Sequence, residues 1–127
     1  MIKKGKGTYD MHMYIYIYVD DIREDDTFFN KTFDRSCWMP IICRNYEDTI
    51  RVIDEFHESH IIFIDLDHDL GEGNEIDDKM ALSGYDICKY IVENKIPILG
   101  FHIHSMNPIG SANMRQLLTH YGYREYE

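Results

Sequence analysis

No run of apolar residues in the sequence is long enough to cross a membrane, which takes about 20. The most apolar stretch, residues 13–19, is short, carries three tyrosines and stops at Asp20-Asp21. It also lacks the small-residue cleavage site of a secretory signal. A protein of the host-cell cytoplasm, without a membrane partner, is the expectation. Cysteine is scarce: Cys37, Cys43 and Cys88 are odd in number and form no Cys-x-x-Cys. That excludes a disulfide framework and a cysteine zinc site, and leaves buried free thiols as the expectation. Positive charge is scarce too, with 13 Lys and Arg against 23 Asp and Glu, a net charge of −10. A chain so acidic has no basic stripe with which to coat nucleic acid. It can still meet a phosphate, because carboxylates hold divalent ions and those ions bind phosphoryl oxygens. Alanine is rare while Ile, Tyr and Asn abound, which fits an AT-rich genome such as that of a phage or other virus.

What remains is ordinary for a globular chain. A length of 127 residues with 44% hydrophobic content suits one domain with a real core. Residues 1–12, with Lys3, Lys4 and Lys6, read as a loose basic leader, and 13–127 as a single domain. Residues 14–19 are β-branched or aromatic throughout and read as a buried strand. Residues 22–40 have no clear period and suggest irregular packing or a short helix. A second strand is expected over 40–44. Asn45 then fits an N-cap, and Tyr46, Ile50, Ile53 and Phe56 recur at helical spacing to about Ser59. Residues 61–64 form another buried strand. The acidic segment from Gly71 to Leu82 reads as a loop. Ser83, with Asp86 three residues on, caps the next helix. Residues 98–105 read as a fourth strand, and Asn107-Pro108 as the start of a last helix that stops near Gly122. Strands alternating with helices imply a parallel sheet with right-handed crossovers.

Such sheets bind ligands at the carboxyl ends of their strands. There the chemistry-bearing residues gather. Asp20 and Asp21 end the first strand and Arg44 the second. Asp67, His68 and Asp69 end the third, and His104, Ser105 and Asn107 the fourth. Any one of these aspartates can be a turn former. Asp20, Asp21 and Asp67 together point to a shared metal or acid/base site, because clustered carboxylates repel unless a cation or a proton sits among them. Asp65 lies deeper and fits a buried hydrogen bond at least as well. His104 and His68 are the candidates for proton transfer, whereas His102 reads as a hydrogen-bonded core residue. His57, His60 and His120 read as surface or packing residues. N–H groups at the start of the last helix, near Ile109, Gly110 and Ser111, would favour an anion, with Arg44 first among the assisting cations Arg23, Arg44 and Arg115.

The motifs Asp20-Asp21-x-Arg23, Leu66-Asp67-His68-Asp69-Leu70-Gly71, Ser83-Gly84-Tyr85-Asp86 and His104-Ser105-Met106-Asn107-Pro108-x-Gly110-x-x-Asn113-Met114 together resemble the cyclic-phosphate processing receiver-like domain family. The resemblance spans residues 14 to about 122. It implies a small receiver-like, flavodoxin-type α/β fold of about four parallel strands and a role in handling cyclic phosphates of nucleotides or RNA ends. A more distant likeness is to response-regulator receivers. There Asp20 and Asp21 would match the metal-binding acidic pair, Asp67 the phosphate acceptor and Ser105 the hydroxyl after the fourth strand. Residues 121–127 offer no fifth strand with the lysine that receivers use. Ser111 stands where the closer family would carry a basic residue.

The expectation is therefore a metal-assisted hydrolase of a cyclic phosphate. Asp20, Asp21 and Asp67 would hold Mg²⁺ or Mn²⁺. His104, His68, Asp67 and Asp69 would carry the chemistry. Arg44, Arg23, Ser105, Asn107, Gly110 and Ser111 would hold the ligand. Two alternatives stand beside it: a non-catalytic module that binds or sequesters a cyclic nucleotide, and a degenerate receiver acting as an interaction switch.

Overall fold

Every strand exit but one carries an acid or a histidine, and the sheet sets those exits side by side. The structure, a computed structural model, describes residues 13–71 and 82–127. The expected leader over 1–12 and most of the expected loop over 71–82 lie outside the described residues. The elements run β1 (Tyr14–Val19), α1 (Thr27–Thr32), β2 (Trp38–Cys43), α2 (Tyr46–Phe56), β3 (Ile61–Leu66), α3 (Gly84–Glu93), β4 (Gly100–Ile103) and α4 (Pro108–His120). All strand pairs are parallel, in the order β2-β1-β3-β4. This is the receiver-like α/β arrangement.

Strand alternation divides the side chains between two faces. Ile15, Ile17 and Val19 of β1 and Ile62, Ile64 and Leu66 of β3 join Ile53, Ile87, Ile91, Met114 and Leu118 in one core. Thus α2, α3 and α4 all contribute to the cover of that face. On the opposite face Tyr16, Tyr18 and Phe63 pack with Phe28 and Phe29 of α1 and with Trp38. A six-residue helix is too short to persist alone, and the Asp26 side chain makes no cap bond to α1. Burial of Phe28 and Phe29, worth about 1.5–3 kcal/mol each, holds it in place.

The three longer helices start where the sequence predicts. Asn45 Oδ1 accepts from Asp48 N at 2.7 Å. Ser83 and Asp86 form a reciprocal capping box at α3. Asn107 Oδ1 accepts from Gly110 N at 2.8 Å, with Pro108 opening α4. Past α4, Gly122 adopts φ +91°, the left-handed conformation that ends a helix.

The sheet has four strands and no fifth, as expected. Residues 124–126 meet β4 at one point: Phe101 N donates to Arg124 O at 2.9 Å, and Tyr126 N donates to Phe101 O at 2.7 Å. A single parallel bridge, Phe101 to Glu125, results. Gly100 leaves room for the Tyr126 ring, which would lie 2.4 Å from a Cβ there. Cys37 departs from expectation: it is exposed in the turn before β2, while Cys43 and Cys88 are buried free thiols as expected. The other departure is β4, which is only four residues long. No helix among the described residues is long and apolar enough to cross a membrane.

Candidate metal and phosphate site

Backbone pairing runs one residue beyond each strand. Asp20 N donates to Cys43 O at 3.1 Å, Asp67 N to Val19 O at 3.0 Å, and His104 N to Leu66 O at 3.0 Å. These three residues are therefore fixed as firmly as strand residues. The ladder is also what brings their side chains together: one ligand atom from each of Asp20, Asp67 and His104 lies within 4.8 Å of the others. Asp20 is fully buried and Asp67 nearly so.

His104 is the hub. Its Nδ1 is 2.6 Å from Asp65 Oδ1, and its Nε2 is 3.0 Å from Asp20 Oδ2. Both ring nitrogens thus face carboxylate oxygens, an arrangement that favours the protonated ring. Burial lowers the pKa of His104, but the hydrogen bond and charge of Asp65, with Asp20 and Asp67, more than reverse this and the net shift is upward. Asp65 is anchored in turn by the Tyr16 hydroxyl, which donates to its Oδ2. The Tyr18 ring stacks on His104, with centroids 4.7 Å apart and planes 4° from parallel.

The two carboxylates nearest His104 titrate in opposite directions. Burial raises the pKa of Asp20, but N–H donors from Arg23 and Ile22 and the His104 ring outweigh it, and the pKa falls below the usual value. Asp67 is pushed up, first by burial and then by the charge of Asp20. His68 N donates to Asp67 Oδ1 at 2.8 Å, and the Ser105 hydroxyl also bonds Asp67.

Other expected site residues are placed as follows. Asp21 is half-buried beside Gly71 and stands outside the close group. Arg23 lies at the rim: its Nε donates to Asp20 Oδ2 at 3.2 Å and its Nη2 to His104 O at 3.5 Å. Arg44 instead braces the loop after β1, donating to Asp20 O at 3.2 Å and Arg23 O at 2.9 Å and pairing with Glu24. Asp69 is exposed and accepts from His68 Nδ1 at 2.9 Å and from Asn107 Nδ2 at 3.4 Å. That bond to Asn107 ties the β3 exit to the start of α4. The N–H groups of Gly110 and Ser111 are already taken, by Asn107 Oδ1 and by Asn107 O. Gly110 serves the His68 ring, whose Cγ would lie 2.4 Å from a Cβ there.

His102 behaves as the core residue the sequence suggests. Its Nδ1 donates to Tyr126 O at 2.9 Å, and its ring stacks on Phe28 at 3.8 Å. Sequence reasoning missed Tyr16, Tyr18 and the functional placing of Asp65. The signal was the alternation of Tyr16 with Tyr18, Asp65 with Asp67 and His102 with His104, three polar pairs on one face of adjoining strands. Gly84 carries no signal of its own beyond the Ser83-Gly84-Tyr85-Asp86 motif. Its missing Cβ would lie 2.1 Å from Asp67 O, so only glycine lets α3 start against the β3 exit.

The donor set suits a hard or borderline divalent cation: two carboxylates and an imidazole nitrogen, with the other nitrogen held by a carboxylate. Asp20 and Asp67 are like charges that burial makes costly, and a cation between them would relieve this. Comparison with known proteins gives one family: the cyclic-phosphate processing receiver domain, whose model matches residues 15–120. No curated protein and no solved structure matches the chain.

Proposed function

Since the chain belongs to the cyclic-phosphate processing receiver domain family, we propose that it is a metal-assisted phosphoesterase that opens a cyclic phosphate of a nucleotide or an RNA end. The observation that carries this reading is the convergence of Asp20, Asp67 and His104 within 4.8 Å, with His104 oriented from behind by Asp65. Asp65 accepts the hydrogen bond from Nδ1–H, so His104 would offer Nε2 to a cation once the contact with Asp20 is displaced. Asp20, Asp67 and His104 Nε2 would then hold Mg²⁺ or Mn²⁺. A cation there supplies Lewis-acid polarisation of the phosphoryl oxygens and a more acidic water.

The chain's own residues do the rest. Arg23, half-exposed at the rim, meets the phosphate charge. His68, with Nδ1 held by Asp69, would use Nε2 for proton transfer. In hydrolysis a water oxygen bonds to phosphorus and one ester P–O bond of the ring breaks. The leaving oxygen takes a proton, and the product is a phosphomonoester. Both His104 nitrogens face carboxylates, so proton delivery to the leaving oxygen falls to His68.

The test is turnover of 2′,3′-cyclic mononucleotides, 3′,5′-cyclic nucleotides and cyclic di- and trinucleotides, each with Mg²⁺, Mn²⁺ or chelator. Turnover with metal that is lost in chelator and in Asp67→Asn supports the proposal. Ligand recovered intact after tight binding would replace it with a sequestering module.

A further inference from the structure

The loop that leaves the site after Asp20 has two sides. Arg23 turns toward Asp20 and His104. Glu24, Asp25 and Asp26 turn toward a separate cavity of about 170 Å³ on the β2 side of the same sheet face. The walls of that cavity are Tyr16, Tyr18, Phe29, Pro40 and Ile42, and Arg35 completes its rim. Tyr18 belongs to both places. Its ring stacks on His104, and its hydroxyl accepts from Asp25 N at 3.2 Å. The cavity and the strand-exit site are thus neighbours across one aromatic ring.

We propose that this cavity is a nucleobase subsite of the phosphate site, with a preference for guanine; the proposal rests on the cyclic-phosphate reading given above. Size argues for a base alone: the cavity is well below the roughly 300–1,000 Å³ of a pocket for a whole drug-sized ligand. Flat aromatic and apolar walls suit a base read at its edge. Charge fixes the orientation. Glu24 is paired with Arg44 and Asp26 with Arg35, so Asp25 carries the unbalanced charge of the rim; it repels a phosphate, and the anionic end of a nucleotide is driven toward Arg23 and the base toward the cavity. Ionised carboxylates can only accept, so they select a ring edge rich in N–H donors. Guanine presents its N1–H and N2 amino group side by side. Uracil flanks its single N–H with two carbonyl oxygens, which the carboxylates repel. Arg35 lies over the Phe29 ring at 4.7 Å and cancels the charge of Asp26, with which it pairs at 3.1 Å, so Asp25 is the carboxylate that reads the base.

The experiment uses phosphate-free ligands, so that the base is tested apart from the chemistry. Guanosine and uridine are titrated into the full chain in chelator, followed by heteronuclear NMR. Guanosine should bind with shifts centred on Tyr18 and Ile42, and uridine about tenfold more weakly or worse. Ile42→Trp fills the cavity from a position 45% exposed, so folding is spared. Asp25→Asn removes a charge but keeps the oxygen that accepts from Thr27 N. Each should weaken guanosine about tenfold. Absence of guanosine binding, or binding indifferent to Ile42→Trp, overturns the subsite. Metal-dependent turnover that ignores the base would then leave the phosphoesterase reading intact. Guanosine binding without turnover of any cyclic phosphate would uphold the subsite and sink the enzyme.

Discussion

Nδ1 of His104 lies 2.6 Å from Oδ1 of Asp65, the penultimate residue of β3 and almost wholly buried. That contact decides which ring nitrogen faces the cleft. It also places a buried charge pair behind the site, and breaking one member of such a pair costs about 3–5 kcal/mol. His104→Gln should therefore lower stability by about that amount, read as the urea midpoint with unchanged slope. A loss below about 1 kcal/mol would mean that the pair is solvated and not a structural hub.

Asp67→Asn should act in the opposite sense. Asp67 is buried beside Asp20, and both burial and that charge disfavour its ionised form. Neutralising it should raise the melting temperature in chelator by a few degrees, while removing the further rise that Mg²⁺ or Mn²⁺ gives the unaltered protein. A variant that is less stable in chelator would contradict the placement of Asp67 as a strained member of the site.

The pH dependence follows from the same shifts. His104 has a native pKa above its ordinary value, so its contribution is fully present below about 6.5 and is lost as pH rises through the native value. Asp67, also raised, removes stability as pH rises from 3.8 through its native value. Asp20 is lowered, so its contribution is present above 3.8 and is lost as pH falls through its native value. In chelator, stability should peak on the acid side of neutrality and decline toward alkaline pH. Saturating divalent cation should move the peak upward, because cation and protons compete for the same atoms. Urea midpoints across pH 4–9 (a range of roughly that span suffices), with and without metal, would show no such displacement if the cation binds elsewhere.

Gly84 offers a test of how the site is positioned. A Cβ there would meet the Asp67 carbonyl oxygen at 2.1 Å, and backbone cannot step aside as a side-chain tip can. Gly84→Ala should cost about 1–3 kcal/mol and displace Asp67 from His104. The checks are the melting temperature and the metal affinity, which should fall together. Unaltered metal affinity would show that α3 does not set the geometry.

Much of this was legible in the sequence for physical reasons. Residues 14–19 and 61–64 are apolar runs that stop at aspartates, so both the strands and their exits could be read. Asn107-Pro108 and Ser83 with Asp86 are side chains that satisfy helix-end N–H groups, and they mark helix starts locally. The helix α1 was obscure because no cap or period announces six residues held only by tertiary burial of Phe28 and Phe29. The Asp65–His104 pair was obscure because the partners are 39 residues apart and meet only once β3 and β4 are known to be neighbours. Arg44 looked like a ligand-binding cation because it exits a strand, yet its guanidinium is spent on the carbonyls of Asp20 and Arg23.

The measurement that bears most directly on the account is cyclic-phosphate turnover by the purified chain with Mn²⁺ or Mg²⁺, beside the same assay in chelator and with Asp67→Asn. The expected result is ring opening to a phosphomonoester that needs the metal and is abolished by the substitution. Turnover undiminished in chelator, or retained by Asp67→Asn, would contradict it.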